Sequence, residues 1–276
     1  MNITGCVLGL ALLCEAGLLR SQPNVTAWEI LQQGVSDKNP ERRKQAIAAI
    51  SSIGLAQPAI RLVESALLND DDVVVRQTAA ASLGQMRAKE SIPALRKALE
   101  DGSGEVVFQA AKSLWELGDR ASPKQPLEEV LSGHRKDVSG IREGAMRDAK
   151  AKLHSPRALA KIGIREASGA LLGPFALGVS AATEMMKDTG AAGRASAATL
   201  LAQECDEQTL QLLEQCLKED KNAAVKAAAA RGMGVCGTKD SIPLLERRLS
   251  DSHDALKFMA AAAIVKLSMS GPAGPG

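Results

Sequence analysis

The sequence predicts an all-α protein, an α-solenoid of about seven stacked two-helix repeats, with a degenerate fourth repeat and an extra helix in the middle. Three observations predict it. The stretch KESIPALRKALEDGSGEV at 89–106 returns as KDSIPLLERRLSDSHDAL at 239–256. The chain is 45% apolar yet only 2% aromatic, with no Tyr. Alanine is the strongest helix former, whereas sheets draw on β-branched and aromatic side chains. Third, six alanine-rich stretches recur in one register, and fixed recurrence near 30 residues marks a repeat architecture.

Those six stretches are RRKQAIAAISSIG (42–54), VRQTAAASLGQM (75–86), VVFQAAKSLWELG (106–118), GRASAATLLAQE (193–204), VKAAAARGMGVCG (225–237) and LKFMAAAAIVKLS (256–268). Ile50, Leu83, Leu114, Leu201, Met233 and Ile264 share one position, spaced by 33, 31, 87, 32 and 31 residues. The long interval leaves room for one repeat and an insertion. Five residues before each stretch stands an Asp: Asp37, Asp70, Asp101, Asp188, Asp220 and Asp251. At the second position of each stretch stands a base, namely Arg43, Arg76, Arg194, Lys226 and Lys257, with Val107 the exception. An Asp ahead of a helix can accept from orphan backbone N–H groups and complements the positive end of the dipole. Stacking would turn the Asp and base columns into a ladder between repeats, structural in role.

Each such helix is preceded by another. AQPAIRLVESALLN (56–69) sets Ile60, Val63 and Leu67 on one face by three- and four-residue steps. SIPALRKALE (91–100), DEQTLQLLEQCLKE (206–219) and SIPLLERRLS (241–250) repeat the pattern, with Ser91 and Ser241 as expected N-caps and Pro93 and Pro243 in the first turn. A two-helix unit cannot bury its apolar face alone, so the units stack. The helix pair, the Asp and Arg columns, the Ala-Ala and Leu-Gly positions and SIPALRKAL resemble HEAT repeats, most of all the short repeats of phycobilisome lyase subunits. The resemblance implies a protein-binding scaffold and, in one branch, chromophore attachment.

The predicted organisation is an apolar N-terminal segment (1–21), repeats one to three (27–119), a degenerate fourth repeat with an extra helix (120–173), repeats five to seven (174–268) and a disordered tail (269–276). In the fourth repeat, 124–133 serves as first helix and 141–153 as second, while 155–173 is extra. From His134 to Arg165 nine bases face three acids, a net charge of +6 in a chain of net +2. Arg142, Arg147, Lys150, Arg157 and Lys161 are therefore the candidate partner-binding residues. Such a patch suits an acidic protein or an anionic membrane surface. Nucleic acid is disfavoured, because no aromatics interleave the bases and no reading helix is evident. The alternative is an ordinary solvated helix pair. Residues 167–183 carry no charge, and Pro174 interrupts them, so they read as a tightly nested helix or an apolar groove rather than a membrane span.

The run from Ile3 to Cys14 is too short to cross a bilayer and suits a secretory leader, so export to a periplasmic compartment is expected, the cytoplasm being the alternative. Cys6, Cys14, Cys205, Cys216 and Cys236 show no metal-ligand or C-x-x-C spacing. They read as small buried side chains, and the odd number left after cleavage argues against a disulfide framework. The three histidines, His134, His154 and His253, pair with nothing at metal-ligand spacing, and no catalytic motif occurs. No catalytic residue, metal or cofactor is expected. Trp28 reads as an anchor sealing the end of the stack, with Trp115, Phe108 and Phe258 in repeat cores. Gly232 lies inside a helix, so Gly232→Ala should stabilise unless that glycine lets helices touch. The leading expectation is a non-enzymatic interaction scaffold, with a membrane-associated scaffold and a lyase-like enzyme as alternatives.

Overall fold

Small residues let the second helices of the repeats lie close together, and that layer organises the molecule. The computed structural model describes residues 23–132, 188 and 190–269. The described residues form twelve α-helices and no strand. They are α1 (Pro23–Val35), α2 (Pro40–Ser51), α3 (Gln57–Asn69), α4 (Val73–Gln85), α5 (Ile92–Lys97), α6 (Gly104–Glu116) and α7 (Lys124–Leu131). The second half supplies α8 (Ala191–Leu201), α9 (Glu207–Glu219), α10 (Ala223–Cys236), α11 (Ile242–Glu246) and α12 (Asp254–Met269). The pairs α1/α2, α3/α4 and α5/α6 are repeats one to three, α7 opens the fourth, α8 closes the fifth, and α9/α10 and α11/α12 are the last two.

The predicted core column is buried at five of its six positions. Ile50, Leu83, Leu114, Met233 and Ile264 are all fully buried. Leu201 departs, being 42% exposed, and α8 buries Ala191, Ala195 and Ala198 instead, with Ala202 just past its end. Among the described helices α8 packs chiefly on α10, so it needs only one narrow apolar stripe. Close approach elsewhere depends on missing side chains. A Cβ on Gly84 would stand 2.6 Å from the Ser113 hydroxyl, and one on Gly234 would stand 3.0 Å from the Ala263 backbone. At Gly232 a Cβ would meet both Leu213 methyls at 3.0 Å and the Ala202 Cβ at 3.2 Å. The expected gain from Gly232→Ala is therefore opposed by packing, and that glycine does let helices touch.

The order of stacking is not the order of sequence. α10 packs on α8, α12 on α10, α2 on α12, α4 on α2 and α6 on α4. The last repeat thus lies against the first, and the chain's two described ends meet in the middle of the stack. α12 is built for that position. Ten of its sixteen residues are buried, from Leu256 to Leu267, which leaves it no polar outer face of the kind a terminal repeat requires. Phe258 is 1% exposed and fills the space beside Gly34 of α1, where a Cβ would fall 2.6 Å from its ring. The hydroxyl of Ser52, the residue that follows α2, sits 3.7 Å from the Met259 sulfur.

Several expectations are corrected. Trp28 does not seal an end, because α12 covers α1; the indole is half-buried against the core. Trp115 is exposed rather than a core anchor, with the Arg120 guanidinium 4.2 Å from its ring centre. It occupies the register position of Gly84 and Gly234, which faces the next second helix in the stack. Phe108 is only half-buried. Ser91 and Ser241 do not cap with their side chains: each ends a short 3₁₀ turn that leads into its helix. Thr238 performs that service for Asp240 N–H instead. The helices they precede are short, because the chain tightens into 3₁₀ or turn geometry after Lys97 and after Glu246. The leader, the basic middle, the uncharged run 167–183 and the tail beyond Met269 lie outside the described residues.

Candidate interaction surface

The Asp and Arg columns meet one repeat apart. Arg43 grips Asp70 with a two-point fork, Nε donating to Oδ2 at 2.8 Å and Nη2 to Oδ1 at 2.7 Å. Arg76 repeats the fork on Asp101 at 2.8 and 3.0 Å, and Arg194 on Asp220 at 2.7 and 3.1 Å. Each guanidinium also turns back on its own repeat, through the remaining Nη1 in Arg43 and Arg76 and through both Nη atoms in Arg194. Arg43 donates to the carbonyls of Asp37 and Lys38, Arg76 to those of Asp70 and Asp71, and Arg194 to the Asp188 carboxylate. The planar five-donor guanidinium suits this double duty.

All six Asp residues of the column use one oxygen in the same way. Each accepts the backbone N–H two residues on, at Asn39, Asp72, Ser103, Gly190, Asn222 and His253. The sequence suggested that these Asp residues cap the helices directly. The structure gives that role to the residue two places later: Asn39, Asp72 and Asn222 accept from the first-turn N–H groups. Burial alone would raise the Asp70 and Asp101 carboxyls, but the guanidinium forks and backbone donors outweigh it and hold both below the usual carboxylate range. Asp220 is lowered first by its bonds from Arg194. Asp119, where burial opposes bonds from Ser122 and Arg96, is held at about 2.

Two rungs differ. Lys226 forms no ion pair among the described residues, and His253 Nδ1 lies 2.9 Å from Asp251 in its place. A lysine offers a point charge and no fork. At the junction of the last and first repeats the ladder becomes a relay. Lys257 contacts Asp254 at 3.0 Å, Asp254 contacts Arg42 at 3.0 Å, and Arg42 contacts Asp37 at 2.6 Å. Thus Lys257, predicted as a rung, serves its own repeat, and Arg42 and Asp254 carry the connection that sequence reasoning missed.

The sequence model of the HEAT-repeat family matches residues 60–147 and 179–265, together more than half of the chain. The chain belongs to the HEAT-repeat family. The first match runs beyond α7 into the second helix expected of the fourth repeat. No curated protein matches the chain in sequence. Among solved structures, human deoxyhypusine hydroxylase in complex with glycerol is similar at 20% identity, over 89% of this chain and 98% of that chain, with a TM-score of 0.33. The two superpose too loosely for a site or an activity to be carried across.

The five candidate residues Arg142, Arg147, Lys150, Arg157 and Lys161 lie outside the described residues. Within them, the HEAT layer brings two other bases onto neighbouring second helices, Arg231 of α10 and Lys266 of α12. Burial lowers both from their ordinary values, and Arg231 lowers Lys266 further. Among the described residues no group of three His, Cys, Asp or Glu side chains converges to hold a metal, and no helix is long and apolar enough to cross a membrane.

Cys205 and Cys236 are joined as a disulfide with Cα atoms 4.8 Å apart, which corrects the expectation of unpaired buried cysteines. Their separation of 31 residues is one repeat, so the repeat places both at the same end of adjacent second helices. That spacing was the available signal. Cys216 remains a thiol, half-buried, and burial pushes it up. Cys205 also occupies the left-handed position that ends a HEAT second helix, with φ 53°; Gly54, Arg87 and Gly118 hold the equivalent place at 96°, 56° and 95°.

Proposed function

We propose that this HEAT protein is a non-enzymatic protein–protein interaction scaffold that works after export. The observation that carries the scaffold reading is the continuous second-helix layer α8–α10–α12–α2–α4–α6, whose repeats are held by an internal charge ladder. Because the ladder consumes its own charges, the outward faces are left for a partner. The disulfide supports export, since such bonds form and persist in oxidising compartments. The docking face is the basic segment around Arg142, Arg147, Lys150, Arg157 and Lys161, and its partner is an acidic protein. The test is a pull-down from native extract with mass spectrometry, comparing wild type with a variant carrying those five residues as Glu. A protein captured by wild type and lost by the variant supports the reading. Identical captures move the docking face to the second-helix layer. The same spectra report the mature N-terminus, and retention of Met1 through Ser21 would remove the export reading. The net charge of the basic segment also favours a second reading, attachment to an anionic membrane surface. Flotation with anionic but not neutral liposomes would select it.

A further inference from the structure

Repeats one and seven are packed together yet stand at opposite ends of the chain; Ser52 and Met259, in contact, are 207 residues apart in sequence. Each half has ties of its own apart from this junction. Residues 23–132 are tied by Arg43–Asp70, Arg76–Asp101 and short turns, and residues 190–269 by Arg194–Asp220 and Cys205–Cys236. The junction joins two unlike faces, α12 on one side and α1 with α2 on the other. Its ion pair is Arg42 to Asp254, and an apolar contact seats Phe258 beside Gly34. Among the described residues no disulfide crosses it, and the chain passes from one half to the other through residues 133–187.

We propose that this junction is an exchange interface, and that the partner it fits is a second copy of this chain. In the exchanged form α12 of one copy docks on α1 and α2 of the other, and reciprocally. Two unlike faces exchanged between two copies close into a dimer with two junctions, so neither face of the junction is left open. No tight turn needs rebuilding, because no tight turn crosses the junction. The balance is set by the effective concentration at which one half of a chain meets its own other half. The monomer therefore dominates at low concentration, and the exchanged dimer grows with concentration or when the chain refolds in a crowded mixture.

The test places a thiol on each side of the junction in the full chain, Arg42→Cys with Asp254→Cys. Cys6, Cys14 and Cys216 are changed to Ser, and Cys205 and Cys236 are kept. The protein is refolded over a range of concentrations, bridged with a short bis-maleimide and read by denaturing gel and intact mass. The expected result is a bridged monomer when dilute and a doubly bridged dimer when concentrated. The dimer-to-monomer ratio should rise about tenfold for each tenfold rise in concentration while dimer is the minor form. A bridged monomer at every concentration, even where light scattering shows dimer, overturns the proposal, because such a dimer uses another surface. Ser52→Cys with Met259→Cys repeats the test independently of the ion pair. Failure of both pairs to bridge in a folded protein also overturns it.

Discussion

In residues 23–132 successive repeats are joined by two half-buried forks, Arg43–Asp70 and Arg76–Asp101. In residues 190–269 the one fork, Arg194–Asp220, has its arginine 43% exposed, and the next rung is missing. The second half compensates by other means. A disulfide spans the same two repeats as its fork, at the other end of the helices, and the following joint brings α10 within contact of the α12 backbone at Gly234. One HEAT frame thus tolerates electrostatic, covalent and steric solutions to one problem, the holding of each repeat in register with the next.

The largest test of that contrast is to remove the staple. Cys205→Ala with Cys236→Ala should cost about 3.7 kcal/mol, the value of closing a loop near 30 residues, and lower Tm by about 10 °C. Part of that loss should be returned, because Cys205 holds a left-handed backbone that glycine tolerates better. Cys205→Gly with Cys236→Ala should therefore melt higher than the double alanine variant. Thermal unfolding followed by circular dichroism reads both. Equal melting of wild type and the double alanine variant would show that the staple adds nothing to the weak fork.

Next in size is the junction. Gly34→Leu drives a side chain into the Phe258 ring and the Ala46 Cβ, already 2.6–2.8 Å from a Cβ there. Overpacking of this kind costs about 1–3 kcal/mol. The two halves should then unfold separately, seen as a second transition in calorimetry, whereas Gly102→Leu, in open space, should leave a single one.

The forks come third. Arg76→Met leaves Asp101 half-buried without its partner and should cost about 1–2 kcal/mol, while Arg194→Met, at a more exposed site, should cost under about 1 kcal/mol. Chemical denaturation at neutral pH compares them. The same carboxylates set the acid response. Asp70 and Asp101 are lowered in the fold relative to about 3.9 unfolded. The unfolded chain then binds more protons, so their stabilisation is complete above pH ~5 and is lost as pH falls through the lowered values. Stability should be flat from neutral to pH ~5, then fall, with the Asp119 share lost progressively down to about pH 2. Arg76→Met should flatten that slope.

How much of this was written in the sequence differs by level. The repeat register, the paired helices and the Asp–Arg columns follow from period and chemistry, and Arg43, Arg76 and Arg194 carry them out. The spatial order does not follow, because an alignment is linear and says nothing of which repeat meets which across a long connection. The hint lay in α12, whose stretch 256–268 has only Lys257 and Lys266 as charges and cannot face water as an end helix does. The disulfide was hidden by counting cysteines instead of placing them on the repeat. The proposed docking bases were legible only as charge density.

The smallest effect is the sharpest test of why the second half lost a rung. If the missing contact at Asp251 reflects lysine chemistry and not backbone geometry, Lys226→Arg should restore it. Arginine reaches one atom further and offers a fork, and the three formed rungs show that this position in the register points at the next Asp. His253 would yield one oxygen of Asp251 and keep its backbone bond to it. The gain should be small, about 0.5 kcal/mol, as befits a part-exposed pair. It should vanish in Lys226→Arg with Asp251→Asn and shrink at high salt. A gain that survived both changes would come from helix propensity and not from the ladder. No gain at all would mean that the joint between repeats six and seven is fixed by the Gly234–Ala263 contact, at a distance no side chain can bridge.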